Sequence, residues 1–182
     1  MTEPAFGILI RRRNRFAAEV LVAGSAVLAH VPNSGRMHEL MVHGIDVLLR
    51  PVPEGSTRRT AYDLLAVRYG GSWVGVDSRI PPSTVVDAWR TGMLSAFAHY
   101  TTVRREVRYG ESRLDLLFSH PVKGTPEFGY VEAKSVNLVE DGIAMFPDAP
   151  PPRGARHLLE LRAAAAEGPR AAVCFVVQRD DV

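Results

Sequence analysis

The chain of 182 residues has one cysteine, Cys174, two tryptophans, and only two lysines, Lys123 and Lys134, among its 22 basic residues. A lone thiol can form no internal disulfide and cannot supply a cysteine-rich zinc site. Cys174 lies in an apolar run, 171–177, where a buried structural thiol is expected. No stretch approaches the roughly 18 uninterrupted apolar residues that a membrane helix needs. Residues 1–10 lack the basic start and long apolar run of a secretory signal, so the expected location is the cytoplasm, with no membrane partner. Internal repeats and long low-complexity tracts are missing, and His30, His38, His43, His99 and His120 show no metal-ligand spacing.

A hydrophobic content of 46% is enough to bury a core in one large domain or two small ones. The formal net charge of +2 does not by itself diagnose a nucleic-acid protein. Its distribution is more informative. Through Tyr100 there are 11 arginines and 8 acids, a net of +3; from Thr101 onward 11 basic residues meet 12 acids, a net of −1. Arginine suits bidentate phosphate recognition. A coding bias toward Arg explains the excess more simply, because Arg also fills surface positions where no partner is implied.

Residues 9–23 mix apolar and basic side chains and lead through Gly24-Ser25 into 26–31, the pattern of two strands around a tight turn. Further strands are predicted at 45–50, 61–69 and 72–76, separated by the turn-prone 53–57 and Gly70-Gly71. Residues 34–41 predict a short helix with Ser34 as its N-cap. Short strands interrupted by one brief helix indicate a small barrel of the oligonucleotide-binding (OB) type over 1–80. Pro81-Pro82-Ser83 then opens a helix over 84–93, whose Val85, Val86, Trp89 and Met93 share one face. A second domain is placed at 81–182, with strands at 103–108, 113–118, 129–135 and 171–177 and a helix at 153–167. The four prolines of 147–152 require a loop before that helix. Strand, strand, strand, helix, strand describes an α/β domain with a mixed sheet, making the whole chain α+β.

The chemistry concentrates between Tyr109 and Asp148. Arg113-Leu-Asp115-Leu-Leu is followed, after a turn-rich gap, by Tyr130-Val-Glu132-Ala-Lys134-Ser135. Strand alternation puts Glu132 and Lys134 on one face. Asp115 lies on the preceding strand of a hairpin, so two carboxylates and one ammonium converge. Mg²⁺ or Mn²⁺ prefers oxygen ligands and is commonly held by one or two carboxylates, with water and substrate phosphate completing the shell. Asp115 and Glu132 are the expected metal ligands, with the Ala133 carbonyl as a further oxygen, and Lys134 is the catalytic cation. An ordinary salt bridge on a solvated sheet face would give the same pattern. The scarcity of lysine and the apolar surroundings of both acids favour the catalytic reading.

The basic run Arg11, Arg12, Arg13 and Arg15 could grip nucleic-acid phosphates, or serve as a solvated strand edge. Phe16 and Trp73 could stack on bases, although core packing is the simpler expectation. Asn33, Ser34 and Arg36 could hold a phosphate at a helix start. Arg153 and His157, one helical turn apart, could face the sheet and hold the scissile phosphate. Asp141 and Asp148 are secondary candidates as metal ligands or turn caps, and Glu106 is a further carboxylate nearby.

Ordered segments across the chain also resemble a known family. They are Arg13-Asn-Arg-Phe16, His30-Val-Pro-Asn-Ser-Gly-Arg-Met37, Trp73-Val-Gly-Val76, Arg104-Arg-Glu-Val107, Gly110-Glu-Ser-Arg-Leu-Asp115, Tyr130-Val-Glu-Ala-Lys-Ser-Val136, Asp141-Gly-Ile-Ala-Met-Phe-Pro-Asp-Ala149 and Arg153-Gly-Ala-Arg-His-Leu158. In these the chain resembles the sugar fermentation stimulation proteins. The resemblance implies an N-terminal OB barrel and a C-terminal domain of the PD-(D/E)xK nuclease superfamily, with DNA binding and a link to sugar-utilisation regulation. It assigns Asp115, Glu132 and Lys134 to that superfamily's acid, Glu and Lys positions. It also implies a further helix and strand after 171–178, whereas the sequence stops at Val182. The expected partner is DNA of either strandedness. A purely DNA-binding regulator without cleavage is the alternative, and RNA or an oligosaccharide are other ligands that such a barrel accepts.

Overall fold

Alternation of buried and exposed side chains builds the first strand, β1 (Ala5–Asn14), which ends where the Asn14 side-chain oxygen accepts the Phe16 N–H at 2.9 Å. That local bond reverses the chain into β2 (Ala17–Val22). The stretch 9–23, expected as one strand, is therefore parts of two. Ala23 and Gly24 both have positive φ, 48° and 80°, as a tight hairpin turn requires, and lead into β3 (Ser25–His30). Three more strands follow: β4 (Asp46–Pro51), β5 (Tyr62–Tyr69) and β6 (Ser72–Gly75). The computed structural model describes residues 3–122, 126–146 and 152–182, with side chains for all but 152–154.

The strands run in the order β3-β2-β1-β4-β5-β6. β3 also pairs with β5 in parallel, through Ala29 with Tyr62 and His30 with Asp63. This closes five strands into the expected OB barrel, leaving β6 outside the closure. Leu9, Val20, Val47, Leu49, Leu64, Val67 and Val74 are fully buried in its core. Burying each such side chain contributes roughly 1.5–3 kcal/mol. At the closure Asp63 is buried and receives His30 Nδ1 at 3.2 Å, Arg50 at 3.3 Å and Arg58 at 2.7 Å.

The helix predicted at 34–41 does not form. Asn33 accepts the Gly35 N–H at 2.8 Å and donates to the Val76 carbonyl at 3.0 Å, while Met37 adopts φ 48°. Such side-chain bonds to nearby backbone compete with helix formation. What remains is a turn in which Leu40 and Met41 both donate to the Met37 carbonyl, so Ser34 caps nothing.

The chain divides into two compact units, the first comprising 1–78, 136–149 and 177–182 and the second 79–135 and 150–176. The first contains a small hairpin that periodicity did not suggest, β10 (Leu138–Glu140) with β11 (Ile143–Met145). Asp141 and Gly142 form its turn, with φ 51° and 74°.

In the second unit α1 (Pro81–Arg90) starts on its two prolines, which suit a helix's first turn because no N–H is needed there. The helix thus begins three residues before the predicted 84–93. A four-stranded mixed sheet follows in the order β12-β9-β8-β7, from β7 (Thr102–Tyr109), β8 (Ser112–His120), β9 (Glu127–Val136) and β12 (Arg170–Val177). A helix, α2 (Pro152–Ala166), precedes β12. One sheet face packs Leu116, Phe118 and Val131 against Val85, Val86, Phe97 and Tyr100. Gly129 lies directly beneath the Phe97 and Tyr100 rings, where a Cβ would come within 2.8–2.9 Å of them. Cys174 packs on the same core, and burial pushes its thiol up, as expected for a structural cysteine. Among the described residues no helix is long and apolar enough to cross a membrane.

Candidate functional site

β8 and β9 pair antiparallel from His120 with Glu127 to Leu116 with Val131. One step further along this register sets Asp115 opposite Glu132. Because Leu116 and Val131 point into the core beside α1, the alternating Asp115, Glu132 and Lys134 share the other face. Helix α2 supplies the cover there, with Leu161, Ala164 and His157 buried. The three residues singled out in the sequence thus come together on one side of two neighbouring strands.

Their bonding is unequal. Glu132 is only 3% exposed. Its Oε1 accepts from Lys134 Nζ at 2.5 Å and pairs with Nδ1 of His157. Its Oε2 is buried with no hydrogen-bond partner among the described residues. A buried carboxylate oxygen without a donor is costly, so its lone pairs are available to a cation. Asp115 accepts the Ala133 N–H on Oδ2 at 2.8 Å. Burial, reinforced by the negative charge of Glu132, pushes the Asp115 carboxyl up to about 6, with the Ala133 N–H and the Lys134 ammonium pulling the other way. Two oxygen-bearing groups that repel each other, one with a bare oxygen, fit a hard divalent cation. Among the described residues no cluster of three or more His, Cys, Asp or Glu could hold a metal. Asp115 and Glu132 bring two carboxylates to this face, which is short of a closed protein cage.

Glu106 lies opposite Asp115 on the other side, between the pairs Arg105 with Leu116 and Val107 with Leu114. It adopts φ 56° and its carboxylate pairs with Arg113 at 2.9 Å. Beside these strands is a cavity of about 380 Å³ lined by Arg108, Glu111, Ser112, Arg113, Arg156 and His157. The arginines of this cavity escaped the sequence reading, although Arg113 lies two residues from Asp115 and Arg156 adjoins His157.

His157, expected to hold a phosphate, is buried and pairs through Nδ1 with Oε1 of Glu132. The Arg153 side chain and the whole of Asp148 lie outside the described residues. Asp141 sits in the β10–β11 turn of the first unit.

On the barrel, Arg11 and Arg13 pair with Glu19 at 2.8 and 3.3 Å and hold that carboxyl below its usual range. Arg12 turns its guanidinium onto main-chain carbonyls: Arg15 at 2.8 Å, Asn33 at 3.2 Å, Asn14 at 3.3 Å, and that of Arg36. Arg12 is therefore a clamp within the fold. Arg15, Ser34 and Arg36 are exposed. The helix start invoked for Asn33, Ser34 and Arg36 is absent, which removes the dipole argument for a phosphate there. Phe16 and Trp73 do not pack in the core; they are 53% and 37% exposed. Phe6, which the sequence reading overlooked, is 66% exposed with its ring 6.0 Å from that of Trp73. Its signal was an aromatic at an outward position of an alternating strand.

Comparison with known proteins finds two successive family models, the second of which also takes in 136–149 and 177–182 of the first unit. A family model described as the SfsA N-terminal OB domain matches residues 10–76, and one described as the sugar fermentation stimulation protein RE domain matches 79–182. A sugar fermentation stimulation protein homolog of Desulforamulus reducens is 45% identical over 96% of this chain and 70% of its own length. The homolog of Alkaliphilus metalliredigens is 46% identical over 96% of this chain and 74% of its own. Among solved structures, Pyrococcus furiosus SfsA in complex with Ca²⁺ superposes with a TM-score of 0.86 at 31% identity, covering all of this chain and 76% of that one. By sequence, by its OB barrel and by its mixed C-terminal sheet, the chain belongs to the sugar fermentation stimulation protein family.

Proposed function

We propose that this protein binds DNA and hydrolyses its phosphodiester bonds with Mg²⁺ or Mn²⁺ at Asp115, Glu132 and Lys134. The observation that carries the reading is the buried Oε2 of Glu132, without a hydrogen-bond partner among the described residues, on the side of the sheet that Asp115 shares. Asp115, Glu132 and the Ala133 carbonyl would hold the ion, which when bound polarises phosphate oxygen and acidifies water. Lys134 places a positive charge beside the carboxylates, where it can steady the phosphorane-like charge that develops during hydrolysis. His157 holds the same Glu132 oxygen as Lys134, and burial under α2 keeps the carboxylate from rotating. The Pyrococcus furiosus relative is itself a complex with Ca²⁺, an ion that commonly occupies the oxygen-rich sites that Mg²⁺ uses. Exposed Phe16, Trp73 and Arg15 on the barrel supply stacking faces and charge for a nucleic-acid strand. A cytoplasmic site of action suits such a substrate.

A second reading, a DNA-binding regulator of sugar utilisation that does not cleave, has one observation in its favour: the Lys134 ammonium is already occupied by Glu132. Incubating the protein with plasmid and single-stranded DNA plus Mg²⁺ or Mn²⁺ separates the two. Cleavage that disappears in Glu132→Gln and Lys134→Ala supports the enzyme. A salt-dependent gel shift with no cleavage supports the regulator, and cleavage unaltered in Glu132→Gln rules out this site.

A further inference from the structure

The cavity of about 380 Å³ beside the carboxylates has a composition that metal binding does not explain. Three of its six lining residues are arginines, Arg108, Arg113 and Arg156, against a single acid, Glu111. Arg156 makes no hydrogen bond or ion pair among the described residues, and the Arg108 side chain makes only a long one, 3.4 Å, to the Gly110 carbonyl. Arg113 is tied to Glu106 through Nε, which leaves its terminal nitrogens for another acceptor. Concentrating guanidinium groups around one hollow costs repulsion unless an anion is taken up. With Arg113 paired to Glu106, Arg108 and Arg156 are the guanidinium groups left to take up an anion, and a terminal phosphate offers their donors three free oxygens where a diester offers two.

We infer that this cavity is a receptor for a terminal phosphate on a nucleic-acid strand, gripped by Arg108, Arg113 and Arg156. The inference rests on the proposed cleavage site and specifies its substrate as strand ends that carry phosphate. Its volume matches one nucleotide-sized group rather than a length of duplex, being at the small end of the ~300–1,000 Å³ typical of small-molecule pockets. His157 joins the two places: it lines the cavity and its Nδ1 holds Glu132. End recognition and the carboxylate pair are therefore separated by one side chain.

Binding measured without metal keeps this inference separate from cleavage. Fluorescence anisotropy in EDTA would compare one labelled oligonucleotide bearing a 5′-phosphate, a 3′-phosphate or hydroxyls at both ends. One phosphorylated form should bind about tenfold more tightly than the hydroxyl form, the scale of added charge-assisted bidentate contacts, and the arm that gains identifies which end is read. Arg156→Ala and Arg108→Gln, both at exposed side chains, should each erase most of that preference. Arg90→Ala, which removes an equal charge from an exposed pair with Asp87 in the same unit, should keep it. Equal affinity for all three oligonucleotides, or a preference that survives both cavity substitutions, overturns the inference. Metal-dependent cutting of closed circular plasmid without any end preference would leave the cleavage site standing and reject the receptor; end preference without cleavage would do the reverse.

Discussion

Replacing Asp115 with asparagine should make the metal-free protein more stable at neutral pH, although it removes a residue assigned to the site. The Asp115 carboxyl is pushed from its ordinary 3.8 up to about 6 by burial and by the charge of Glu132. The folded protein therefore holds a proton there between about pH 4 and 6 that the unfolded chain has released, so stability falls as pH rises through that window. Above it the ionised carboxylate costs the fold at most roughly 3 kcal/mol, and partial exposure lowers this to about 2 kcal/mol. Asparagine keeps an oxygen for the Ala133 N–H and removes the charge. In a Trp73→Phe background, Trp89, whose ring packs 5.3 Å from that of Phe118, becomes the only tryptophan and reports on the second unit. Urea denaturation in EDTA at pH 7.5 should then show a midpoint about 1 M higher for Asp115→Asn, using a slope of roughly 2 kcal/mol per molar. The gain should shrink toward zero near pH 4. Added Mg²⁺ should stabilise the parent and not the variant. A variant no more stable than the parent at pH 7.5 in EDTA would refute the electrostatic account of this pair.

On the barrel, Arg12→Ala should destabilise the first unit by about 1–3 kcal/mol, because four main-chain carbonyls lose a charged donor. Arg11→Ala, at a solvent-exposed pair, should change stability by under about 1 kcal/mol, and urea midpoints of the two variants test the contrast. Phe16→Ala and Trp73→Ala should leave folding intact by circular dichroism while weakening single-strand binding by about 1–3 kcal/mol each. Affinity unchanged in both would exclude base stacking on either ring. Gly129→Ala should destabilise the second unit by roughly 1–3 kcal/mol, as the added methyl meets the Phe97 and Tyr100 rings. A melting temperature equal to that of the parent would show that those rings can move aside.

Features with long-range periodicity could be read from the sequence, and features decided by one local bond could not. The alternation in 130–135 and the apolar setting of Asp115 placed the three charged groups on one face, because a strand's period of two leaves no other arrangement. The barrel strands were likewise legible as apolar runs between glycine-rich turns. The helix at 34–41 failed for a local reason: the Asn33 side chain captures the Gly35 amide, and Met37 turns left-handed. The break after Asn14 was hidden by basic residues that alternate as well on two short strands as on one long one. Phe16 and Trp73 show the limit of reading burial from residue type, since an aromatic on the outer face of a barrel has the same sequence signature as one inside. Of the basic run, only coordinates could separate Arg12, bent onto carbonyls, from the exposed Arg15.

The barrel is a cylinder riveted along a line only two residue pairs long, Ala29 with Tyr62 and His30 with Asp63. So short a join has little hydrogen-bonded ladder of its own, and the three side chains gathered on Asp63, His30, Arg50 and Arg58, act as its fasteners. Loosening them would let the tube unroll into an open sheet long before its interior melts. The amides of Tyr62 and Asp63 should accordingly exchange with solvent sooner than those at the middle of β4.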